Sequence, residues 1–211
     1  MDIKIRRDVS LGFTSEKVLE GLHICYIFNE DYERRQTLAK YLKAGLEAGE
    51  KVSYFVDTIT TDELAEHLKE LGMDIREERK DINLIEALPA HCPDGSSSPP
   101  RMLEAFGGLY RQAISEGYKG ARATAEMSWA LSNEEHVRLE DLIDYEARLN
   151  HVLQEYPCTA CCQFDARKFD GATIMDMLSV HPVMIVRGQL VRNPYYIDPD
   201  VFLKEYKARP K

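Results

Sequence analysis

The stretch from His23 to Asp57, HICYIFNEDYERRQTLAKYLKAGLEAGEKVSYFVD, decides the fold class of this chain. Two short apolar runs, 23–28 and 52–56, are typical of strands that are covered on both faces. Between them, apolar residues recur with the spacing of a buried helix face, at Leu38, Tyr41, Leu42 and Leu46. Gly49 is a helix stop signal. Strand, helix and strand in this order predict a right-handed βαβ unit within a parallel sheet.

The turn after the first strand, NEDYE at residues 29–33, is the place where such a unit usually binds phosphate. It contains no glycine, although glycine lets the backbone approach a phosphate closely. Its acidic residues, Glu30, Asp31 and Glu33, already complement the positive end of the following helix. The turn therefore argues against a nucleotide site.

The rest of the chain predicts further alternating helices and strands. The expected elements are a short helix at 15–21, a helix opened by the capping box Thr60–Glu63, a strand at 82–87, a mobile Pro/Ser/Gly loop at 89–100, a helix at 101–116, a strand at 121–127, a helix opened by a second capping box at Ser132–Glu135, a strand at 159–164 ending on Asp165, a β-hairpin of 183–186 with 189–192, and a helix at 198–206. This order predicts an α/β fold with a mostly parallel sheet, helices on both faces and a C-terminal β-hairpin.

Length and composition set the class of protein. The chain has 211 residues, 44% of them hydrophobic and 30% charged, which favours one globular domain. A net charge of −9 disfavours direct binding of nucleic acid. No apolar run reaches the length of a membrane span and no signal peptide is evident, so we expect no membrane association and a cytoplasmic protein.

Several polar residues are expected where parallel strands end, which is where this class of fold binds ligands. They form a predicted ligand-binding rim of Asn29, Glu30, Tyr32, Asp57, Glu126, Trp129 and Asp165. Trp129 has an alternative interpretation as a core residue whose N–H meets a carbonyl. Asp57 has an alternative interpretation as a solvated residue at the end of a strand.

The five cysteines, an odd number, favour free thiols. Cys158, Cys161 and Cys162 form a C-x-x-C-C motif that zinc or redox sites use. Zinc needs four ligands, and the sequence offers no second such pair. A strand at this position would also point Cys161 and Cys162 to opposite faces. A metal or redox role of these cysteines is therefore the weaker alternative. Metal binding by the adjacent His91 and Cys92 is weaker still, because no partner pair lies nearby in the sequence.

A carboxylate lies on the apolar face of the helix predicted around residue 146. Glu146 and Asn150 share the stripe of Leu142, Leu149 and Leu153. A buried carboxylate needs a partner. We expect Glu146 to pair with an arginine, for which Arg122 is a candidate by residue type, or with backbone N–H groups.

Motifs along the chain resemble a known family. Tyr41-Leu42-x-x-Gly45-x-x-x-Gly49-Glu50-x-x-x-Tyr54 resembles the first helix and second strand of KaiC/RecA-like ATPases. Their phosphate-loop signature would fall on 28–35 and is absent. The MEDS domain (methanogen/methylotroph, DcmR sensory domain) joins this fold to a lost phosphate loop. Three further segments resemble it, namely Gly120-x-Arg122-x-x-x-Glu126-Met127-Ser128-Trp129, Tyr145-Glu146-x-x-Leu149-Asn150 and His181-Pro182-x-x-x-x-x-Gly188-x-Leu190-x-x-Asn193-Pro194-Tyr195-Tyr196.

The resemblance implies a degenerate KaiC/RecA-like domain at 21–197, preceded by a lead-in at 1–20 and followed by a short helix and tail at 198–211. It implies a stand-alone, non-enzymatic sensory domain that needs no cofactor. Such a domain would bind a small organic ligand, one-carbon or hydrocarbon-derived, and regulate a histidine kinase or transcription regulator, with a homodimer as one arrangement. The family-motif residues are His23, Glu146, Asn150, His181, Asn193 and Tyr195. For His23, local hydrogen bonding at the strand edge is the simpler interpretation.

The residues also allow other functions. Arg34 and Arg35 could replace the lost Lys-Thr pair of a nucleotide site. Cys158, Cys161 and Cys162, with His181, could form a metal or redox sensor. The chain could also be an interaction scaffold without a ligand. No nucleophile, base and acid occur in a recognisable catalytic pattern.

Overall fold

The computed structural model describes residues 6–75 and 80–209 of the chain. The strands are β1 (Asp8–Ser10), β2 (Lys17–Leu19), β3 (His23–Phe28), β4 (Glu50–Val56), β5 (Ile82–Glu86), β6 (Gly120–Glu126), β7 (Thr159–Asp165), β8 (Val183–Val186) and β9 (Gln189–Arg192). The helices are α1 (Asp31–Glu47), α2 (Thr61–Glu70), α3 (Ala87–His91), α4 (Pro99–Ser115), α5 (Leu139–Glu155), α6 (Gly171–Val180) and α7 (Pro199–Lys207), with a 3₁₀ turn at Ser128–Leu131.

A sheet in the order β5-β4-β6-β7-β3-β8-β9 forms the centre of the described part of the chain. All neighbouring pairs are parallel except β8 and β9, which form the antiparallel hairpin at one edge. The predicted α/β fold with a mostly parallel sheet and a C-terminal hairpin is therefore confirmed. None of the described helices combines the length and apolar character needed to cross a bilayer.

The two faces of the sheet carry separate cores, because alternate residues of each strand point to opposite sides. Helices α1 and α2 cover one face, where Tyr41 and Tyr54 are fully buried. Helices α3 to α7 cover the other face, where Phe164 and Met177 are fully buried. We call these the α1 face and the α5 face. Functional side chains occur on both.

The predicted helix at 15–21 is wrong. Residues Lys17–Leu19 form β2, which pairs antiparallel with β1. A helix of about two turns has too few hydrogen bonds to offset its nucleation cost, whereas a strand of three residues gains its bonds from a neighbour. That neighbour, Asp8–Ser10, could not be identified from local sequence pattern.

The segment at 89–100 is a loop only in part. Ala87–His91 forms a single helical turn, and α4 begins at Pro99 rather than at Arg101. Proline suits the first turn of a helix, because the N–H that it lacks has no intrahelical acceptor there. The two prolines at 99 and 100 therefore mark a helix start.

Of the two predicted capping boxes, one forms. The Thr60 side chain accepts a hydrogen bond from the Glu63 amide, and Glu63 accepts one from the Thr60 amide. At the second, α5 begins only at Leu139, so Ser132 and Glu135 cap no helix. Residues 132–138 instead meet the loop before α4, where Ser97 donates its amide hydrogen to the His136 carbonyl. A tertiary contact has replaced the local cap.

The β8–β9 hairpin turns at Arg187 and Gly188, which have φ angles of 48° and 70°. Positive φ at both central residues is the type I′ geometry, whose twist matches that of the flanking strands. Glycine adopts it without strain. The predicted hairpin and its bounds are thus confirmed.

A buried arginine connects α1 to the sheet on the α1 face. Arg122 donates to the Glu50 carboxylate at 2.7 Å, to the Tyr41 carbonyl at 2.7 Å and to the Ser10 carbonyl at 2.8 Å. The side chains of both Arg122 and Glu50 are fully buried. Gly45 on α1 leaves the necessary space, since a Cβ atom there would lie 2.9 Å from the Arg122 Cδ. Arg122, the arginine expected to pair with Glu146, is thus bound to Glu50. The prediction that it pairs with Glu146 is therefore wrong.

Replacing Arg122 by methionine should lower the free energy of unfolding by about 3–5 kcal/mol, because it leaves the Glu50 carboxylate buried without its closest cation. Among the described residues, Glu50 would keep Arg7 as its ion-pair partner, and the Arg7 side chain is partly exposed. Equilibrium urea unfolding of R122M measures this loss.

Lys43→Met is the matched control. Lys43 and Glu47 form an exposed pair on α1, with 4.0 Å between their charged atoms. Such pairs contribute about 0.5 kcal/mol or less. A loss in R122M no larger than that in K43M would show that the buried pair does not hold α1 to the sheet.

Candidate functional site

The turn between β3 and α1 carries carboxylates where phosphate loops carry glycine. Asn29 and Glu30 are exposed, and so is Tyr32 with 65% of its surface accessible. Asp31, in the first turn of α1, forms an ion pair with Arg167 at 3.0 Å. Arg167 also binds Asp165 at 2.8 Å. Arg167 thus ties the predicted rim residue Asp165 to Asp31, and the positive end of α1 already faces negative charge.

Glu126, at the end of β6, is buried and fully engaged. One oxygen accepts from Arg34 at 2.8 Å and from the Tyr54 hydroxyl at 3.0 Å. The other accepts from the Thr58 amide at 2.8 Å, the Thr58 hydroxyl at 2.7 Å and the Asp57 amide at 3.1 Å. Burial alone would raise the pKa of Glu126, but Arg34 and Thr58 hold it below its usual value. The structure therefore joins Glu126 to the turn at Asp57.

The two arginines considered for a nucleotide site have protein partners. Arg34 contacts Glu126 and also Gln163 at 3.2 Å, and its guanidinium lies 4.6 Å from the centre of the Phe28 ring. Arg35 contacts the His67 imidazole at 3.1 Å. The charge of Arg34 is thus used inside the fold.

Trp129 does not join the other rim residues. Its ring is 1% exposed and lies in the core of the α5 face. It stacks on His91 with 4.6 Å between ring centres and 14° between planes. Its N–H meets no acceptor, which differs from the carbonyl contact expected of a core tryptophan. As ligand-binding residues, the seven rim positions stay a prediction.

A cavity of about 170 Å³ lies on the α5 face, between the sheet and helices α3, α4 and α5. Its wall is mostly apolar. Its lining includes Phe55, Ile85, Ala90, His91, Met102, Ala105, Phe106, Leu109, Ala123, Ala125, Met127, Tyr145, Ala160 and Cys162. The space arises because β6 and β7 present small residues, three alanines and a cysteine, opposite the long side chains of α4. Sequence reasoning missed this cavity, although the alternation of small residues in both strands was its signal.

The cavity reaches the surface beside α4. Ala105 lines it and is nevertheless exposed, while Leu109 and Ile85 are partly exposed. Deeper in, His91 makes edge contacts with Phe55 and Tyr145 and hydrogen bonds the Ala87 carbonyl through Nδ1 at 2.7 Å. Burial lowers the pKa of His91, so its ring is neutral at pH 7. The cavity is therefore an uncharged pocket, and the neutral His91 ring is a polar group in its mostly apolar wall.

Four titratable side chains meet next to this cavity. They are His23 on β3, Glu146 on α5, Cys162 on β7 and His181 after α6, and their ligand-type atoms lie within 4.8 Å of one another. The Glu146 Oε2 atom lies 3.1 Å from Nε2 of His23 and 3.1 Å from Nε2 of His181. The Cys162 sulfur lies 3.5 Å from Nε2 of His23. We call these four residues the His23 cluster.

Outer contacts fix the histidines of the His23 cluster. Asn150 Oδ1 lies 3.2 Å from Nδ1 of His23, while its Nδ2 donates to the Val180 carbonyl at 2.8 Å. Nδ1 of His181 lies 2.6 Å from the Met177 carbonyl. Burial, with the neighbouring His181, lowers the pKa of His23 to about 4. His23 is therefore buried and neutral rather than a strand-edge residue.

The other family-motif residues support this cluster or lie outside it. Asn193 donates from Nδ2 to the His181 carbonyl at 2.8 Å and accepts from the Tyr195 amide at 3.0 Å. Tyr195 itself is 57% exposed. Motifs far apart in the chain thus converge on one buried place, and only Tyr195 leaves it.

The cysteine motif splits between the two faces, as predicted. Cys161 lies in the core of the α1 face and Cys162 in that of the α5 face. Cys158 is buried and outside the His23 cluster. Burial raises the pKa of Cys161 to about 12 and raises that of Cys162 well above its usual value. Buried thiols of this kind are poor nucleophiles, which argues against a redox pair.

Comparison with known proteins agrees with the motifs. The family described as "MEDS: MEthanogen/methylotroph, DcmR Sensory domain" matches residues 22–182. The Transcriptional repressor DcmR of Methylorubrum extorquens is 26% identical over 160 residues, which cover 75% of this chain and 57% of that protein. The chain thus spans little more than half the length of this relative.

Solved structures resemble the fold. A KaiC-like protein of Pyrococcus horikoshii OT3 matches with a TM-score of 0.61 at 15% identity, over 85% of this chain and 80% of that one. The flagellar accessory protein FlaH of Methanocaldococcus jannaschii matches with a TM-score of 0.63 at 12% identity, over 92% and 90%. At these identities the likeness concerns the fold alone. The family match covers most of the chain and contains the motifs that predicted it: the chain belongs to the MEDS family of sensory domains, on a KaiC/RecA-like fold.

Proposed function

We propose that this domain senses a small, mostly apolar organic molecule, which binds in the cavity on the α5 face. The observation that carries the proposal is the cavity itself. It measures about 170 Å³, its wall is largely aliphatic and aromatic, and it opens beside Ala105. An apolar cavity of about 150 Å³ stays dry and takes up benzene or xenon. The space therefore suits a molecule of roughly six heavy atoms or fewer.

The lining also sets the chemistry of the ligand. The side chains of Phe55, Phe106 and Met102 offer dispersion contacts, and the methionine adapts to irregular shapes. The neutral His91 ring and the nearby Cys162 sulfur are the polar components. A charged ligand would lose its hydration without gaining a partner of opposite sign. Halogenated or short-chain hydrocarbons and their simple derivatives meet these conditions.

Binding would act as a signal through the helices that enclose the cavity. Met102 and Phe106 belong to α4 and Tyr145 to α5, so a ligand would fix both helices against the sheet. A ligand shifts a conformational equilibrium only by its preference for one state. The similar repressor DcmR is named for transcriptional regulation, and its family for sensing. We therefore assign the output to a transcription regulator, or a histidine kinase, that this domain controls.

The domain is proposed to be non-catalytic and not to depend on a nucleotide. The KaiC-like neighbours share the fold, but here Arg34 is bound to Glu126 and the first turn of α1 is acidic. ATP with Mg²⁺ should therefore leave the melting temperature unchanged in a thermal-shift assay. A stabilisation by ATP with Mg²⁺ would restore the nucleotide hypothesis.

Closing the mouth of the cavity should abolish ligand binding. In Ala105→Trp the large ring covers the opening from an exposed position, so the core is not overpacked. Xenon, benzene and halomethanes serve as probes in thermal shift and calorimetry. A probe at a hundred times its dissociation constant should stabilise the unsubstituted chain by about 2.7 kcal/mol and leave A105W without a shift.

The matched control is Ala172→Trp, an exposed alanine on α6 that lies outside the cavity lining. It should bind the probes as the unsubstituted chain does. The proposal is wrong if no probe stabilises the unsubstituted chain, or if A105W and A172W respond alike.

The Glu126 network predicts a specific dependence of stability on pH. The pKa of Glu126 in the fold lies below its usual value of 4.5. Its contribution is therefore fully present above pH 4.5 and is lost as pH falls through the lower value in the folded state. Glu126→Gln should make the free energy of unfolding depend less steeply on pH below 4.5, as urea titrations at several pH values would measure.

Glu70→Gln, at an exposed position of α2, provides the comparison for this measurement. It should keep the slope of the unsubstituted chain. An E126Q slope equal to that of E70Q would mean that Glu126 is not stabilised as a carboxylate by Arg34 and Thr58.

A further inference from the structure

The geometry of the His23 cluster is that of a metal centre. Tetrahedral Zn²⁺ holds nitrogen and oxygen ligands about 2.0–2.2 Å away and sulfur about 2.3 Å away, so its ligand atoms lie about 3.3–3.6 Å from one another. In the cluster, Glu146 Oε2 lies 3.1 Å from each histidine Nε2, and the Cys162 sulfur lies 3.5 Å from Nε2 of His23. These three spacings are close to those of a tetrahedral site, and all four ligand-type atoms lie within 4.8 Å of one another.

The hydrogen bonds around the histidines aim lone pairs at the centre of the cluster. The NH₂ group of Asn150 donates to the backbone carbonyls of Ala147 and Val180, so its oxygen faces Nδ1 of His23. An oxygen can only accept, so Nδ1 of His23 must carry the proton. Nδ1 of His181 faces the Met177 carbonyl and must also carry a proton. In the neutral rings both Nε2 atoms are therefore bare. Outer contacts of this kind orient histidine ligands in metal sites.

Two atoms of the cluster are orphaned. Glu146 Oε1 and His181 Nε2 are buried without a hydrogen-bond partner among the residues that the structure describes. The approach of His181 Nε2 to Glu146 Oε2, at 3.1 Å, lacks the alignment of a hydrogen bond. Bare nitrogens and a carboxylate repel one another unless a cation lies between them. An unpaired polar atom in such a place costs about 1–3 kcal/mol and calls for a partner.

We propose that His23, Glu146, Cys162 and His181 bind a divalent transition-metal ion in a closed tetrahedral site, and that Zn²⁺ fits it best. With Cys162 as thiolate and Glu146 as carboxylate, the ligands carry two negative charges, which the ion balances. All four side chains are buried, with exposures from 0 to 3%. Closed tetrahedral sites are typical of structural zinc.

The proposed ion would join four elements on the α5 face. His23 opens β3, Cys162 lies on the neighbouring β7, Glu146 belongs to α5 and His181 follows α6. Cys162 also lines the cavity, so its sulfur would be shared between metal and ligand pocket. The site does not require the sensing proposal, since its four ligands meet in the buried core of the fold.

Metal content and cobalt substitution test the proposal. The purified full chain, as isolated or after Zn²⁺ titration, should hold about one equivalent of zinc by mass spectrometry. Removal by chelation should lower its melting temperature, and Zn²⁺ should restore it. Loading with Co²⁺ should give the visible bands of a tetrahedral ion and a thiolate-to-metal charge-transfer band.

Variants assign the ligands. Cys162→Ala should lose the charge-transfer band and weaken Co²⁺ binding by more than about 100-fold, and Glu146→Gln should weaken binding while the band remains at saturation. Asn150→Ala, which removes an outer contact of His23, should weaken binding by about 10–100-fold. Cys158→Ala is the matched control, because Cys158 is buried in the same region but lies outside the cluster. It should behave as the unsubstituted chain.

The outcomes that contradict the proposal are distinct. A chain that unfolds cooperatively but binds neither Zn²⁺ nor Co²⁺ would show that the cluster holds protons rather than a metal. A folded C162A that keeps the charge-transfer band would place the thiolate elsewhere. Neither result affects the probe-binding test of A105W, so failure of the metal site and failure of the cavity proposal are distinguishable.

Discussion

The buried carboxylate of Glu146 is the constraint on which the α5 face depends. Its side chain has no exposed surface, and an isolated carboxylate in such a place would cost several kcal/mol. It meets His23 and His181, which come from positions far away in the sequence, and the proposed cation would supply its counter-charge. The start of β3, the middle of α5 and the end of α6 must therefore meet at one place. Asn150 and Asn193 hold the two histidines in position.

A second buried carboxylate, Glu126, lies at the edge of the sheet where folds of this class commonly bind phosphate. In the place where β6 ends, Glu126 is bound by Arg34 from the first turns of α1, across the region that a phosphate would enter. The turn before α1 lacks glycine and carries acids instead. The edge of the sheet is thereby closed by charge pairs. Space for a ligand occurs on the α5 face, where β6 and β7 carry alanines such as Ala123 and Ala160.

The sequence predicted the elements whose signals are local and missed those that depend on a distant partner. The βαβ unit from His23 to Asp57, the Thr60 cap and the β8–β9 hairpin follow from periodicity, capping and turn residues. The strand at Lys17–Leu19 requires β1 as its neighbour. The predicted cap at Ser132 does not form, because residues 132–138 contact the loop before α4 instead. The same distinction between local and distant signals applies to the His23 cluster. Motif resemblance selected His23, Glu146 and His181, and the cysteine pattern selected Cys162, but no local signal says that they meet.

The error about Glu146 shows what local reasoning lacks. Arg122 suits a carboxylate by residue type, yet it points to the α1 face, while Glu146 projects from α5 on the other side of the sheet. The strand period of two fixes this: Ala121 and Ala123 belong to the core of the α5 face, so Arg122 between them faces the opposite side. Choosing the partner required knowing which helix covers which face.

The cavity and the His23 cluster share two structural parts, which connect the proposed ligand pocket to the cluster. Cys162 contributes to both, and on α5 the neighbouring residues Tyr145 and Glu146 face the cavity and the cluster. A molecule that presses on Tyr145 therefore acts on the helix that carries Glu146. The same helix packs against α7, where Phe202 and Leu203 are buried. A shift of α5 would therefore be passed to α7, because packed helices move as units rather than deform.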